Sequence, residues 1–127
     1  MLWQEEKVDF EGEFYRSIAG ELETKPIQKP HPAMWFGVQG PKMLLFAAEV
    51  GQGWFPTVTS PTQYSQKMKI LKTHRQEMGL EGPFVGGLQL FNAPVDDPET
   101  MSFHNTTIDP KKYLQAIDDY GAAGCEY

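Results

Sequence analysis

The chain has 127 residues, 40% of them apolar and 13% aromatic, with a net charge of −6 and a single cysteine, Cys125. That length fits one domain with enough apolar material for a core. The acidic balance argues against a nucleic-acid binder that works by neutralising phosphates, and against an anionic membrane as partner. One cysteine excludes an internal disulfide and fits a reducing compartment. The start, Met1 to Lys7, is acidic and lacks a basic segment followed by an apolar run. The longest apolar run lies within residues 43–50, far short of the ~20 residues that span a bilayer. A soluble cytoplasmic protein is the expectation.

In chain order, Val8-Asp9-Phe10 and Phe14-Tyr15-Arg16 flank Glu11-Gly12-Glu13 and alternate apolar with polar residues, predicting a β-hairpin. Pro26, Pro30 and Pro32 then enforce an extended strap over 25–32. Ala33-Met34-Trp35-Phe36-Gly37 is a short continuous apolar run that reads as a strand buried on both faces, with Trp35 in the core. Pro41 suits the first position of a helix, because its missing N–H would find no partner there. The run Met43 to Val50 is apolar nearly all round and predicts a well-buried helix closed by Gly51. Gly53-Trp54-Phe55-Pro56 reads as the next strand.

Ser60-Pro61-Thr62-Gln63 has the pattern of a capping box. Tyr64, Met68, Leu71 and Met78 fall on one stripe of the helix that follows, with Lys67, Lys69 and Lys72 mostly elsewhere. Residues 84–91 predict a third strand. Asp109-Pro110 opens a last helix with Tyr113, Leu114, Ile117 and Tyr120 inward, and Cys125-Glu126-Tyr127 would begin a further strand. Strands alternating with helices imply parallel pairing with right-handed crossovers. Both a barrel and a small doubly wound sheet fit that alternation; a complete eight-fold barrel needs about 250 residues.

The stretch Gly37-Val38-Gln39-Gly40-Pro41-Lys42 is the principal candidate site. A helix start offers unpaired N–H groups and a partial positive charge, which suit phosphate. Gly37 and Gly40 allow close backbone approach, Gln39 adds a side-chain donor and Lys42 a charge. The competing reading is an ordinary strand-to-helix turn, since G-x-x-G-P-K is neither the dinucleotide fingerprint nor a P-loop. Trp54 divides evenly between core packing and a ligand pocket at a strand end. His31, His74 and His104 match no metal spacing. His31 reads as positional, His74 as solvated, and His104-Asn105-Thr106-Thr107 as a polar patch before a helix. The clusters Asp9/Glu11/Glu13, Asp96/Asp97/Glu99 and Asp118/Asp119 read as solvated, with no acid/base pair at a defined spacing. No G-x-S-x-G elbow is present.

The stretch "KPIQKPHPAMWFGVQGPKMLLFAAEVGQGWFP", with Phe10-Glu11-Gly12-Glu13-Phe14-Tyr15 upstream and Thr107 to Cys125 downstream, resembles the luciferase-like monooxygenases. Their deazaflavin-using branch, such as methylenetetrahydromethanopterin reductases, resembles it more closely still. The resemblance implies a (β/α)8 barrel, commonly dimeric, and an oxidoreductase acting on a small molecule with FMN or the deazaflavin coenzyme F-420. It implies that residues 1–127 form one partial barrel domain, the C-terminal half. Within it, 1–32 would be hairpin and strap and 33–127 β/α units. The turn Gly37, Val38, Gln39, Gly40, Pro41 would hold the cofactor phosphate, with Trp54, Thr57 and Thr59 near the pocket mouth. The chain departs from the family pattern in having Val38 for a second glycine and Gln52 for an aspartate. It also lacks a first half-barrel, so a second copy or a complementing half-barrel is an expected partner.

Overall fold

A computed structural model describes residues 2–57, 59–89 and 110–127. The chain divides into two compact units, Met1–Ala33 and Met34–Tyr127, one residue beyond the expected break between strap and β/α units. The His104–Thr107 patch, the Asp96/Asp97/Glu99 cluster, the Asp109 cap and the end of the third predicted strand, Leu90-Phe91, lie outside the described residues.

The first unit carries strands β1 (Lys7–Glu11) and β2 (Arg16–Glu21), paired antiparallel. The hairpin forms, but Phe14 and Tyr15 belong to its turn, where the Gly12 N–H donates to Tyr15 O, and not to its second strand. β2 instead runs on through Ile18-Ala19-Gly20. It does so by means of a bulge: the pairing shifts between Val8 and Phe10, Ala19 takes φ 49°, and its N–H donates to Asp9 Oδ1 at 2.6 Å. A bulge breaks the two-residue period, which is why alternation did not mark this strand.

In the second unit, β3 (Trp35–Phe36), β4 (Gly53–Trp54) and β5 (Val85–Gly86) form a parallel sheet in the order β3-β4-β5. A bridge between Thr57 and Gln89 extends the β4–β5 pairing. Beyond β5, the Tyr127 N–H donates to Gly86 O and the Leu88 N–H to Tyr127 O. That is the bond pattern of a parallel neighbour, where a further strand was expected.

Helices α1 (Pro41–Val50), α2 (Pro61–Glu77) and α3 (Pro110–Ala122) connect or follow these strands. Both predicted N-termini on described residues are realised. Pro41 opens α1, and Ser60 caps α2 with its hydroxyl accepting from the Gln63 N–H. One sheet face lies against helices: Trp54 stacks on Tyr64 of α2 with ring centroids 4.9 Å apart, and Phe36 meets Phe46 of α1 edge-on. The core comprises Leu44, Ala48, Trp54, Tyr64, Met68, Leu71, Phe84, Leu88, Ala116 and Tyr120.

Four burial expectations are corrected. Trp35 is 41% exposed, because it projects from the sheet face opposite the helices. On α1 only Leu44, Ala47 and Ala48 are buried; Met43, Leu45 and Phe46 are exposed. On α3 the buried pair is Ala116 and Tyr120, whereas Tyr113, Leu114 and Ile117 are exposed. Met78 is also exposed, and the buried stripe of α2 ends on Arg75.

Candidate functional site

The ends of β3 and β4 bring the turn 37–41, residues 55–57 and 59–60 and the first turns of α1 and α2 together. Each β/α connection in a parallel sheet delivers a helix N-terminus to the same edge. The turn is held by side chains from distant parts of the chain. Trp54 is fully buried, and its indole N–H donates to Val38 O at 2.6 Å. It therefore stands on the packing side of its two readings and supports the turn from below. Val38 packs against the buried cluster, which turns its side chain towards the core. Gly37 lies so close to Phe55 O that an added Cβ would stand 3.3 Å from it.

Gln39 is not the free donor the sequence implied. Its Nε2 donates to Thr57 O, so its amide is spent inside the protein. Its Oε1 accepts from Lys67 Nζ of α2 at 2.7 Å. Thr57 O also accepts from the Thr59 hydroxyl at 3.1 Å. Thr59 is fully buried and its carbonyl accepts from Tyr120, so it does not face a pocket mouth. Gln52, where the family pattern has an aspartate, accepts from the Met34 N–H at 2.9 Å and so ties the start of β3 to the end of α1. A neutral amide serves there as an acceptor.

Gly40 is the N-cap of α1, with φ −70°, ψ 146° and no side-chain cap. No acidic residue lies in the first turn of α1. The Leu44 N–H returns to Gly40 O at 2.9 Å, but among the described residues the N–H groups of Val38, Gln39, Gly40, Lys42 and Met43 have no acceptor. A Cβ at Gly40 would meet nothing within 4 Å. The mouth of the turn is thus open backbone, with donors that no described residue consumes.

Lys67 is the site residue that sequence reading missed. It is partly buried, and loss of water lowers its pKa below the usual lysine value. The available signal was its position three residues after Tyr64 and one before Met68, on the flank of the buried stripe. Nothing local links it to Gln39. His31 contacts the Trp3 ring, with centroids 5.7 Å apart, and its Nδ1 lies 2.8 Å from Pro32 O. His74 is not simply solvated: its Nε2 lies 3.0 Å from Glu49 Oε1, joining α2 to α1. Among the described residues no group of His, Cys, Asp and Glu could hold a metal ion. No described helix is long and apolar enough to cross a membrane. An apolar cleft of about 480 Å³ beside β5 is lined by Phe55, Leu88, Tyr113, Ile117 and Tyr127 and does not reach the turn.

The family model for luciferase-like monooxygenases matches residues 1–102. Among solved structures, an F420-dependent secondary alcohol dehydrogenase in complex with an F420-acetone adduct superposes with a TM-score of 0.77 and 17% identity. The match covers 98% of this chain and 50% of the dehydrogenase. Monooxygenase RslO1 from Streptomyces bottropensis gives a TM-score of 0.58 at 21% identity, covering 96% of this chain and 36% of that protein. At these identities the two structures speak for the fold. The chain spans half the length of the first and about a third of the second.

Proposed function

Because the chain belongs to the luciferase-like monooxygenase family, we propose that it serves a flavin- or deazaflavin-dependent oxidoreductase, with Gly37 to Pro41 as the seat of the cofactor's phosphate. The observation that carries this is the row of N–H groups at Val38, Gln39, Gly40, Lys42 and Met43 without acceptors among the described residues, set at a helix start with open space at Gly40. Such donors bind an anion without a change of backbone. The donor set fits a phosphate and no metal. Bound there, FMN or F-420 would supply the hydride or oxygen chemistry that side chains lack. The chain's own part is to fix the phosphate. Trp54 and Gln39 hold the turn rigid, and the ring would extend over the strand ends. The sequential order β3-β4-β5, with the chain end beside β5, favours part of a (β/α)8 barrel over a doubly wound sheet, whose strand order reverses at a switch point.

A complementing half-barrel or a second copy would be the partner that adds barrel strands to this sheet. A second reading rests on the covered share: a chain half as long as the dehydrogenase could be an interaction module that keeps the scaffold and at most weak phosphate affinity. Fluorescence titration with FMN and with F-420 separates the two. Saturation at micromolar cofactor, with turnover when a reductant is added, supports the oxidoreductase. Absence of binding at millimolar concentrations of both cofactors removes it.

A further inference from the structure

We infer that the cleft at the far end of α2, built around Arg75, Lys72 and Gln76, is a second binding site, and that it takes the carboxylate of a small organic acid. α2 has 17 residues, so this cleft lies about 25 Å from the helix start, and it is independent of the turn 37–41.

The cleft measures about 560 Å³, within the range of small-molecule sites. Lys72, Arg75 and Gln76 stand at i, i+3 and i+4, so α2 turns all three to one side. Gly79 at φ 64° and Gly82 at φ 99° then let the chain turn back, and Leu80, Glu81 and Phe84 complete the wall. Arg75 is 9% exposed, and among the described residues its permanent charge has no carboxylate partner. Buried charges are ordinarily paired. Its Nη1 is spent on Ala48 O and Gly51 O. Its Nη2 has only Glu81 O, at a limiting 3.5 Å, and its Nε donates to no described residue. The α1 carbonyls and the Phe84 ring offset part of the charge. They leave the Nε–Nη2 edge, which can hold a carboxylate by two parallel bonds. A strut between helices needs only Nη1. The side chains of Lys72, Gln76 and Glu81 likewise bond to no described residue.

Charge decides the class of ligand. Lys72 and Arg75 against Glu81 leave one net positive charge in the cleft, which a single carboxylate matches. A phosphate, at about −1.5 to −2, would face the Glu81 carboxylate and the partial negative charge at the end of α2. Leu80 and Phe84 offer the acid's body an apolar surface. Occupancy would join the ends of α1 and α2 through Arg75 and stabilise the fold.

The test titrates the 127-residue chain with benzoate, benzamide and phenyl phosphate at constant ionic strength, following the amide shifts of Gly79, Glu81 and Gly82 by NMR. Benzoate should give saturable shifts with a midpoint of about 1–10 mM, as befits so small a ligand. Benzamide, its neutral counterpart, and phenyl phosphate should both bind more weakly. Lys72→Met should weaken benzoate about fivefold, and Arg75→Lys, which keeps the charge but loses the planar edge, about tenfold. Lys72 is exposed, so its variant decides the matter even where Arg75→Lys is destabilised. Circular dichroism and the melting temperature show which variants are folded. Shifts that do not saturate with benzoate, equal binding of benzamide, or unchanged affinity in Lys72→Met overturn the proposal. Tighter binding of phenyl phosphate than of benzoate overturns it as well.

Discussion

Gly40 separates binding from stability at a single position. Its φ and ψ are open to any residue, and a Cβ there meets nothing within 4 Å. Aspartate is a good N-cap and its charge favours a helix start. Gly40→Asp should therefore leave stability unchanged or raise it by about 0.5 kcal/mol. The same carboxylate would occupy the mouth of the turn and repel a phosphate, so cofactor affinity should fall at least tenfold. Chemical denaturation and cofactor titration of the one variant read both effects; a variant that binds FMN and F-420 undiminished would remove the turn from the site. Tyr64 gives a second test at this scale. Its hydroxyl is buried without a hydrogen-bond partner among the described residues. Burial pushes its pKa well above the usual tyrosine value of 10.0, and Cys125 and Glu126 push it the same way. The folded state thus keeps a proton that the unfolded chain releases above pH 10, so stability is full below that pH and declines as pH rises past it. Tyr64→Phe should flatten that alkaline decline and cost little at pH 7, since it removes a polar atom that makes no bond. Melting temperature against pH, compared with the wild type, decides it.

The helix starts were legible as local chemistry. Pro41 and Ser60-Pro61 each act on the turn they begin, and both appear where the sequence placed them. What was not legible depends on contacts across the chain. The strands are shorter than the apolar runs that announced them, because a parallel ladder is set by its neighbours and not by the run itself. The stripe on α3 was visible, but which of its members are covered depends on what packs against it. The turn's supports arrive from Trp54, 16 residues beyond Val38, and from Lys67, 28 residues beyond Gln39. Arg75 shows the same limit on α2. It continues the stripe of Tyr64, Met68 and Leu71 as a buried charge, which no hydrophobic pattern reports. Its Nη1 donates to Ala48 O at 2.8 Å and Gly51 O at 3.1 Å, and its guanidinium lies 5.0 Å from the centre of the Phe84 ring. It thereby satisfies carbonyls at the end of α1, where a cation also suits the helix dipole. Arg75→Met keeps much of the volume and leaves those carbonyls without donors, at a cost of about 2–4 kcal/mol. Arg75→Lys should recover only part of that, because one ammonium cannot reproduce the planar fork. Urea unfolding of the two variants gives the difference, and equal stability of Arg75→Met and wild type would show that the bridge between helices is dispensable.

At the scale of the molecule, the described helices of the second unit lie against one side of the parallel sheet. Trp54 and Phe36 project into the helices, while Trp35, Phe55 and Tyr127 project from the other face, with the Trp35 ring 5.8 Å from each of the other two. Gly53 lies directly against the Trp35 ring and Gly87 against Phe55, so this face is aromatic rings on bare backbone. Trp35 is 41% exposed and Tyr127 74%. An apolar sheet face whose edge strand β3 pairs on its outer side with no described strand is a ready surface for another chain. The dehydrogenase that shares this fold is twice as long, which leaves room in it for structure that covers the corresponding face. The chain studied alone should therefore associate. Sedimentation velocity over rising concentration should give a mass climbing above 14.4 kDa. Trp35→Asp should reverse that climb, because a charge placed among the rings of a closing interface costs more than it does in water. Helical content should be unaffected, since the residue faces away from α1 and α2. A species that stays at 14.4 kDa throughout and melts in one cooperative transition would mean that the aromatic face is stable in water, and that the sheet needs no partner to complete it.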